Sequence, residues 1–168
     1  MRNEKTIAIV PGSFDPITYG HLDIAKRAAE LYDEVFLAVM INDQKKYLFS
    51  IEERELIANI ALKSMDISNV TVISSTGMLW KLAEELGADA IVKGYRNSTD
   101  YEYELKMAKF NQERNPNATT VLLEAQEDLS LVSSTNVRNA ISSNISFDGY
   151  LPKKAAEKIK EILLSRKN

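Results

Sequence analysis

Cysteine is absent from the 168-residue chain. That excludes a disulfide framework and thiolate metal sites, and it fits a reducing compartment, so the expected location is the cytoplasm. No apolar run approaches the roughly 18 to 20 residues that span a bilayer, and Met1-Arg2-Asn3-Glu4-Lys5 leads into the first apolar stretch without a signal-peptide hydrophobic region. Neither membrane insertion nor secretion is expected. Positive charge is not in excess either: 21 Lys and Arg stand against 24 Asp and Glu, a formal net charge of −3. Broad nucleic-acid binding usually needs a basic balance, so any anion must be met by local groups. Histidine occurs once, as His21, with no clear general-base partner. Internal repeats, low-complexity tracts and linkers are lacking too, and 45% hydrophobic with 27% charged residues suits one ordinary globular domain over residues 1–168.

What is present centres on Ile7 to Ala29, IAIVPGSFDPITYGHLDIAKRAA. Ile7 to Val10 is a β-branched apolar run of the kind that forms a strand buried on both faces, and Pro11-Gly12 is expected to stop it. From Leu22 the apolar residues Leu22, Ala25, Ala28, Ala29 and Tyr32 follow helical spacing, which starts a helix near Gly20 or His21. A glycine-containing loop between a buried first strand and a helix N-terminus is where doubly wound α/β folds bind nucleotides. His21 lies in that first turn.

The same alternation continues. Strands are expected at Glu34–Ile41, Val70–Ile73, Ala90–Val92 and Thr119–Leu123. Between them lie a helix opened by the capping box Ser50-Ile51-Glu52-Glu53, one over Thr76–Leu86 closed by Gly87, and one over Tyr101–Gln112 capped from Ser98 to Asp100. Helices over Ser133–Ser142 and from Pro152 end the chain, with a loop over Ser143–Gly149 between them. This is an α/β pattern: a Rossmann-like, doubly wound, five-stranded parallel sheet with helices on both faces and C-terminal helices. If the first, second and fourth strands are neighbours, the loops bearing Ser13, His21, Lys45, Lys46, Lys93 and Arg96 converge on one sheet edge. Such a grouping suits polyphosphate.

PGSFDPITYGH, with its T-x-G-H core, and Ser133-Ser134-Thr135-Asn136-Val137-Arg138 resemble the two signatures of the nucleotidyltransferase α/β-phosphodiesterase superfamily. Within it, SFDPITYGHLDI, Lys45-Lys46 before FSIEER, Lys93-Gly94-Tyr95-Arg96, DYEYE and SSTNVR together are most similar to the bacterial phosphopantetheine adenylyltransferases. The similarity runs over nearly the whole chain. It implies transfer of an adenylyl group from ATP to 4′-phosphopantetheine, giving 3′-dephospho-coenzyme A and pyrophosphate, without a covalent intermediate. Nicotinate mononucleotide adenylyltransferases and cytidylyltransferases share the signatures and form the alternative reading; a nucleotide-binding sensor without catalysis is a further one.

The resemblance also implies roles. His21 and Lys45 would be catalytic, His21 on the α/β-phosphate region and Lys45 on the incoming phosphate. Ser13 would lie between the reacting phosphates and contact both substrates, with Phe14 on the nucleotide. Gly94, Tyr95, Arg96 and Glu104, then Leu129, Ser130, Leu131, Val132, Ser133, Ser134 and Thr135, would meet ATP. Leu79 and Lys93 would meet the pantetheine substrate. Mg²⁺ would travel with ATP rather than sit in a protein cage, and the assembly would be a homohexamer. Several residues have plain structural readings beside these: Leu79 on a helical apolar stripe, Glu104 as a solvated helix residue, Phe14 as a loop anchor and Ser133–Asn136 as an N-cap. The chain departs from the family pattern at Lys93, where arginine is frequent, and at Leu129, where an aromatic is frequent.

Overall fold

The computed structural model describes residues 4–129 and 131–167. Five strands, β1 (Ile7–Gly12), β2 (Glu34–Met40), β3 (Val70–Ser75), β4 (Ala90–Tyr95) and β5 (Thr119–Glu124), form one parallel sheet in the order β3-β2-β1-β4-β5. The helices are α1 (Tyr19–Leu31), α2 (Ile51–Ser64), α3 (Leu79–Leu86), α4 (Ser98–Arg114), α5 (Ser134–Ser142) and α6 (Lys153–Ser165).

The period-2 alternation of the strands divides the core into two layers. Ala8 and Val10 of β1, Val35, Leu37 and Val39 of β2, and Ala90 and Val92 of β4 pack with residues of α1, α2, α5 and α6. Ile9, Ala38 and Ile91, the intervening positions, pack on the other face with Leu82 and Ala83 of α3. The near-continuous apolar runs are explained by this double coverage. Both sides of the strand bury side chains.

Chain order reverses at the centre of the sheet, where β1 is flanked by β2 and β4. The two pairings are unequal. β1 stays in register with β2 from Ile7–Glu34 to Gly12–Val39, whereas its pairing with β4 is confined to Ala8–Ala90 and Ile9–Ile91. After Ile9 the two strands part, and a crevice opens at the switch point.

That divergence corrects the first expected strand end. Pro11 and Gly12 do not stop β1; they pair with Ala38 and Val39. By Pro11 the ladder to β4 has ended, so one side of the strand needs no N–H donor and a proline is accommodated. Other boundaries shift for local reasons. α1 begins at Tyr19, behind Thr18 as its N-cap. α4 begins three residues early because the Asn97 side chain accepts from the Asp100 N–H at 2.9 Å, ahead of the hydroxyl residues. α3 begins at Leu79, after a turn in which the Gly77 N–H bonds Ser75 Oγ at 3.2 Å. Pro152 is the N-cap of α6 rather than its first residue, and a short 3₁₀ turn, Asp148–Tyr150, overlaps the end of the expected loop. The Ser50–Glu53 capping box forms as read, with bonds of 3.1 and 2.9 Å.

The loops after β1 and β2 are tied together by a buried carboxylate. Asp15, 3% exposed, accepts from the Leu48 N–H and the Phe49 N–H, each at 2.9 Å. An aspartate there fixes one loop to the other by charge-assisted bonds. Asp15→Ala leaves two N–H groups without acceptors, one of them buried, and is expected to lower the unfolding free energy by about 2–4 kcal/mol in urea titration. A loss below about 0.5 kcal/mol would show that these bonds do not hold the loops.

Candidate functional site

The crevice between β1 and β4 is a cavity of about 360 Å³. Its wall is built from the parting strands (Val10 to Gly12, Val92 to Tyr95), the start of α1 (Gly20, His21, Ile24), the start of α4 (Asp100, Glu104) and the segment leading into α5 (Leu129, Val132 to Thr135). Phe14, Arg96 and Ala125 complete it. The T-x-G-H, K-G-Y-R and S-S-T segments therefore meet at one place.

His21 is held by its own helix cap. The Thr18 backbone N–H donates to His21 Nδ1 at 3.0 Å, with Thr18 Oγ1 3.1 Å from the same nitrogen. Because a backbone N–H can only donate, Nδ1 is unprotonated and the proton of the neutral ring sits on Nε2. Burial, and then the Arg96 guanidinium, lower the His21 pKa from 6.5 to about 4. The ring is thus neutral at ordinary pH, with one N–H available to the cavity it lines. Phe14 fixes its other side, edge-to-face at 5.1 Å between ring centroids.

Phe14 adopts the left-handed region, φ 49°, and is 2% exposed. A bulky residue there is strained unless its surroundings over-determine it. Gly12 is part of that determination, since a Cβ on it would lie 2.9 Å from the Phe14 ring. Gly20 keeps a similar clearance, with the Val132 carbonyl 3.0 Å from where a Cβ would be. Phe14 thus anchors the loop, and its ring also lines the cavity.

The cations are leashed rather than free. Lys93 Nζ lies 2.6 Å from Glu104 Oε2, a partly buried pair on the cavity wall, so Glu104 is not a solvated helix residue. Arg96 pairs with Asp100 at 3.4 Å through Nε and also donates its backbone N–H to that carboxylate at 3.2 Å. Tyr95 packs edge-to-face on Tyr101, centroids 4.8 Å apart. Lys45, exposed on the loop after β2, reaches Ser13 Oγ at 3.4 Å. Those two residues lie beside the crevice and are not part of its lining.

Ser133 caps α5 by accepting from the Asn136 N–H at 3.1 Å, and it lines the cavity as well. Ser134 Oγ donates to the Pro16 carbonyl at 2.7 Å, and Arg138 donates to the Asp15 carbonyl at 2.8 Å, which docks the second motif on the first. Leu129 and Val132 face the cavity; Leu131 is 77% exposed and outside its lining. Ser130 lies outside the described residues. Leu79, the first residue of α3, packs against the apolar layer of Ile9 and Ile91 and does not line the crevice. Sequence reading missed Asp15, Thr18, Ile24 and Asp100. For Asp15 and Asp100 the signal was present as carboxylates within recognised motifs; for Thr18 it was the T-x-x-H spacing of a capping box.

A cytidylyltransferase-like family model matches residues 9–140. A phosphopantetheine adenylyltransferase of Lactobacillus acidophilus is 45% identical over 159 residues, covering 94% of this chain and 98% of that protein. One from Clostridium perfringens is 41% identical over 160 residues, covering 95% and 96%. Among solved structures, Plasmodium falciparum nicotinic acid mononucleotide adenylyltransferase complexed with NaAD superposes with a TM-score of 0.68 at 16% identity, covering 98% of this chain and 99% of that one. The last likeness is one of fold. By the shared sequence over nearly its full length, this chain belongs to the phosphopantetheine adenylyltransferases, within the cytidylyltransferase-like family.

Proposed function

We propose that the crevice binds Mg-ATP and 4′-phosphopantetheine and transfers the adenylyl group between them. The observation that carries this reading is the convergence of the T-x-G-H, K-G-Y-R and S-S-T segments on one cavity at the switch point of the sheet. A phosphate oxygen of phosphopantetheine attacks the α-phosphorus of ATP in line. The new P–O bond forms as the bond from the α-phosphorus to the β-phosphate oxygen breaks, and pyrophosphate leaves with that electron pair. Catalysis of such a step rests on positioning and on charge stabilisation.

The residues divide accordingly. Neutral His21 offers Nε2–H to an oxygen of the α/β-phosphate region and needs no proton transfer to do so. Ser13 and Lys45 hold the incoming phosphate, the lysine screening its repulsion from ATP. Lys93 meets the phosphate end of phosphopantetheine, with Leu79 toward the pantetheine arm. Gly94, Tyr95, Arg96, Glu104, Phe14 and the residues from Leu129 to Thr135 receive the nucleotide. The cavity carboxylates Glu104 and Asp100 are engaged by Lys93 and Arg96, an arrangement suited to Mg²⁺ that arrives on the triphosphate with its own water. The same reading takes the chain as one nucleotidyltransferase domain, cytoplasmic and assembled as a homohexamer. Pyrophosphate release from Mg-ATP, with 4′-phosphopantetheine and nicotinate mononucleotide offered in parallel, tests it: turnover with the mononucleotide instead would reassign the acceptor.

Loss of the His21 donor is expected to act on the transition state. His21→Ala should lower kcat by about 100-fold or more and change the dissociation constant of ATP by less than about fivefold. Equal losses in both would place His21 in ground-state binding. Since the chain has one histidine, its ring protons report the titration without ambiguity. Their NMR midpoint in the free protein should lie near 4 and not at the ordinary 6.5. The folded value lies below the unfolded one, so the stability held by neutral His21 is complete above pH 6.5 and is lost as pH falls toward 4. An NMR midpoint at 6.5 would contradict the part-buried, capped ring. Lys93→Ala should weaken phosphopantetheine more than ATP in titration calorimetry; the reverse order would assign Lys93 to the nucleotide.

A further inference from the structure

Arg54 is the most thoroughly buried cation described. It lies in the first turn of α2, just beyond the capping box, and is 2% exposed. Its Nη1 donates to the Ser13 carbonyl at 3.0 Å, its guanidinium carbon stands 3.9 Å from the Tyr47 ring centroid, and its Nε has no hydrogen-bond partner. Among the described residues it forms no ion pair. A buried guanidinium without a carboxylate is costly, and a well-packed apolar side chain would serve the core better.

What Arg54 touches gives the charge a use. Through Ser13 it reaches the loop after β1. Through Tyr47 it reaches the loop after β2, because Tyr47 Oη accepts from the Asn42 N–H at 3.0 Å, and the Asn42 carbonyl accepts from the Lys45 N–H at 2.9 Å. One planar group therefore holds the backbone of Ser13 and, by way of Tyr47, the turn that carries Lys45. Ser13 Oγ and Lys45 Nζ end 3.4 Å apart. Lysine in place of Arg54 would keep the charge but lose the flat fork that stacks and donates together.

We propose that Arg54 is a positioning residue that sets the separation of Ser13 and Lys45, and so places the incoming phosphate opposite ATP. This rests on the phosphate-holding roles given to those two residues above. The experiment is a double-variant cycle on the full chain, with turnover of Mg-ATP and 4′-phosphopantetheine as the readout. Arg54→Met should lower kcat at least about tenfold and raise the KM for ATP less than about threefold. In a Lys45→Ala background the same change should lower kcat less than about twofold further, because nothing remains for it to place. Arg54→Lys, which keeps the buried charge, carries the same cycle if the methionine variant does not fold. Tyr47→Phe, which removes only the hydroxyl, should lower kcat in the Lys45-bearing protein by no more than Arg54→Met does and should change it less than about twofold in the Lys45→Ala background; equal losses in both backgrounds would break the chain of contacts. Losses that multiply across the Arg54–Lys45 cycle would mean that Arg54 acts independently of Lys45, and the proposal falls while the phosphate site stands. Parent-like turnover of Lys45→Ala itself would overturn both.

Discussion

Parallel strands are held in place by a continuous ladder, and the site exists because one ladder stops early. β1 leaves β4 after Ile9 while staying paired with β2 to Gly12. The gap cannot close without breaking the β1–β2 register, and it cannot be filled by Gly12, which has no side chain. Phe14 packs its ring against that glycine in a left-handed conformation, and the N-terminus of α1 follows within a few residues. A helix terminus facing a gap in the sheet presents unpaired N–H groups and a partial positive charge to whatever enters. The remaining groups of the site are arranged around this opening.

Charge management in an acidic chain follows from the same geometry. Exposed Arg96 and its Asp100 partner form an i,i+4 pair, 45% and 35% exposed in their side chains; such pairs contribute little and part readily when a polyphosphate offers a better partner. Lys93 and Glu104 are more shielded, at 23% and 14%, so an anion at Lys93 must compete with a carboxylate in a less polar setting. The cavity thus keeps its cations in order without presenting a bare positive surface. His21 avoids the problem by remaining neutral: its contribution is a directed N–H, fixed by the bond that Thr18 makes to the opposite ring nitrogen.

Much of this was legible in the sequence because it is local. Apolar runs, helical spacing and the Ser50–Glu53 box each lie within a few consecutive residues, and they indicated five strands in the right order of appearance, with the first strand–helix turn at the place where the crevice opens. The T-x-G-H segment likewise carried His21 and its surroundings. Boundaries failed where distant pairing decided them: Pro11 stays in a strand because β4 has already left, which no window around Pro11 reveals. Asp15 and Arg54 were passed over for the same reason. Their partners, Leu48 and Phe49 for one and Ser13 for the other, lie 33 to 41 residues away. Leu79 shows the opposite case: helical periodicity set core packing beside a substrate contact, and the structure packs it, partly buried, against the apolar layer.

Asp15 and Arg54 also explain how a loop bearing a strained residue can be rigid. Both are buried, both hold the segment between β1 and α1 to the segment between β2 and α2, and no ion pair joins them. Asp15 accepts backbone N–H groups and lies 4.0 Å from Arg138; Arg54 donates to a backbone carbonyl. Each charge is answered by peptide dipoles whose positions the sheet already sets. Had the two been paired to each other, they would have neutralised one another and left those backbone groups to find partners elsewhere. Separated, they pin the two loops at two points, and a segment pinned twice keeps its orientation as well as its distance. The loops that carry Ser13 and Lys45 therefore take their shape from buried groups that do not line the crevice.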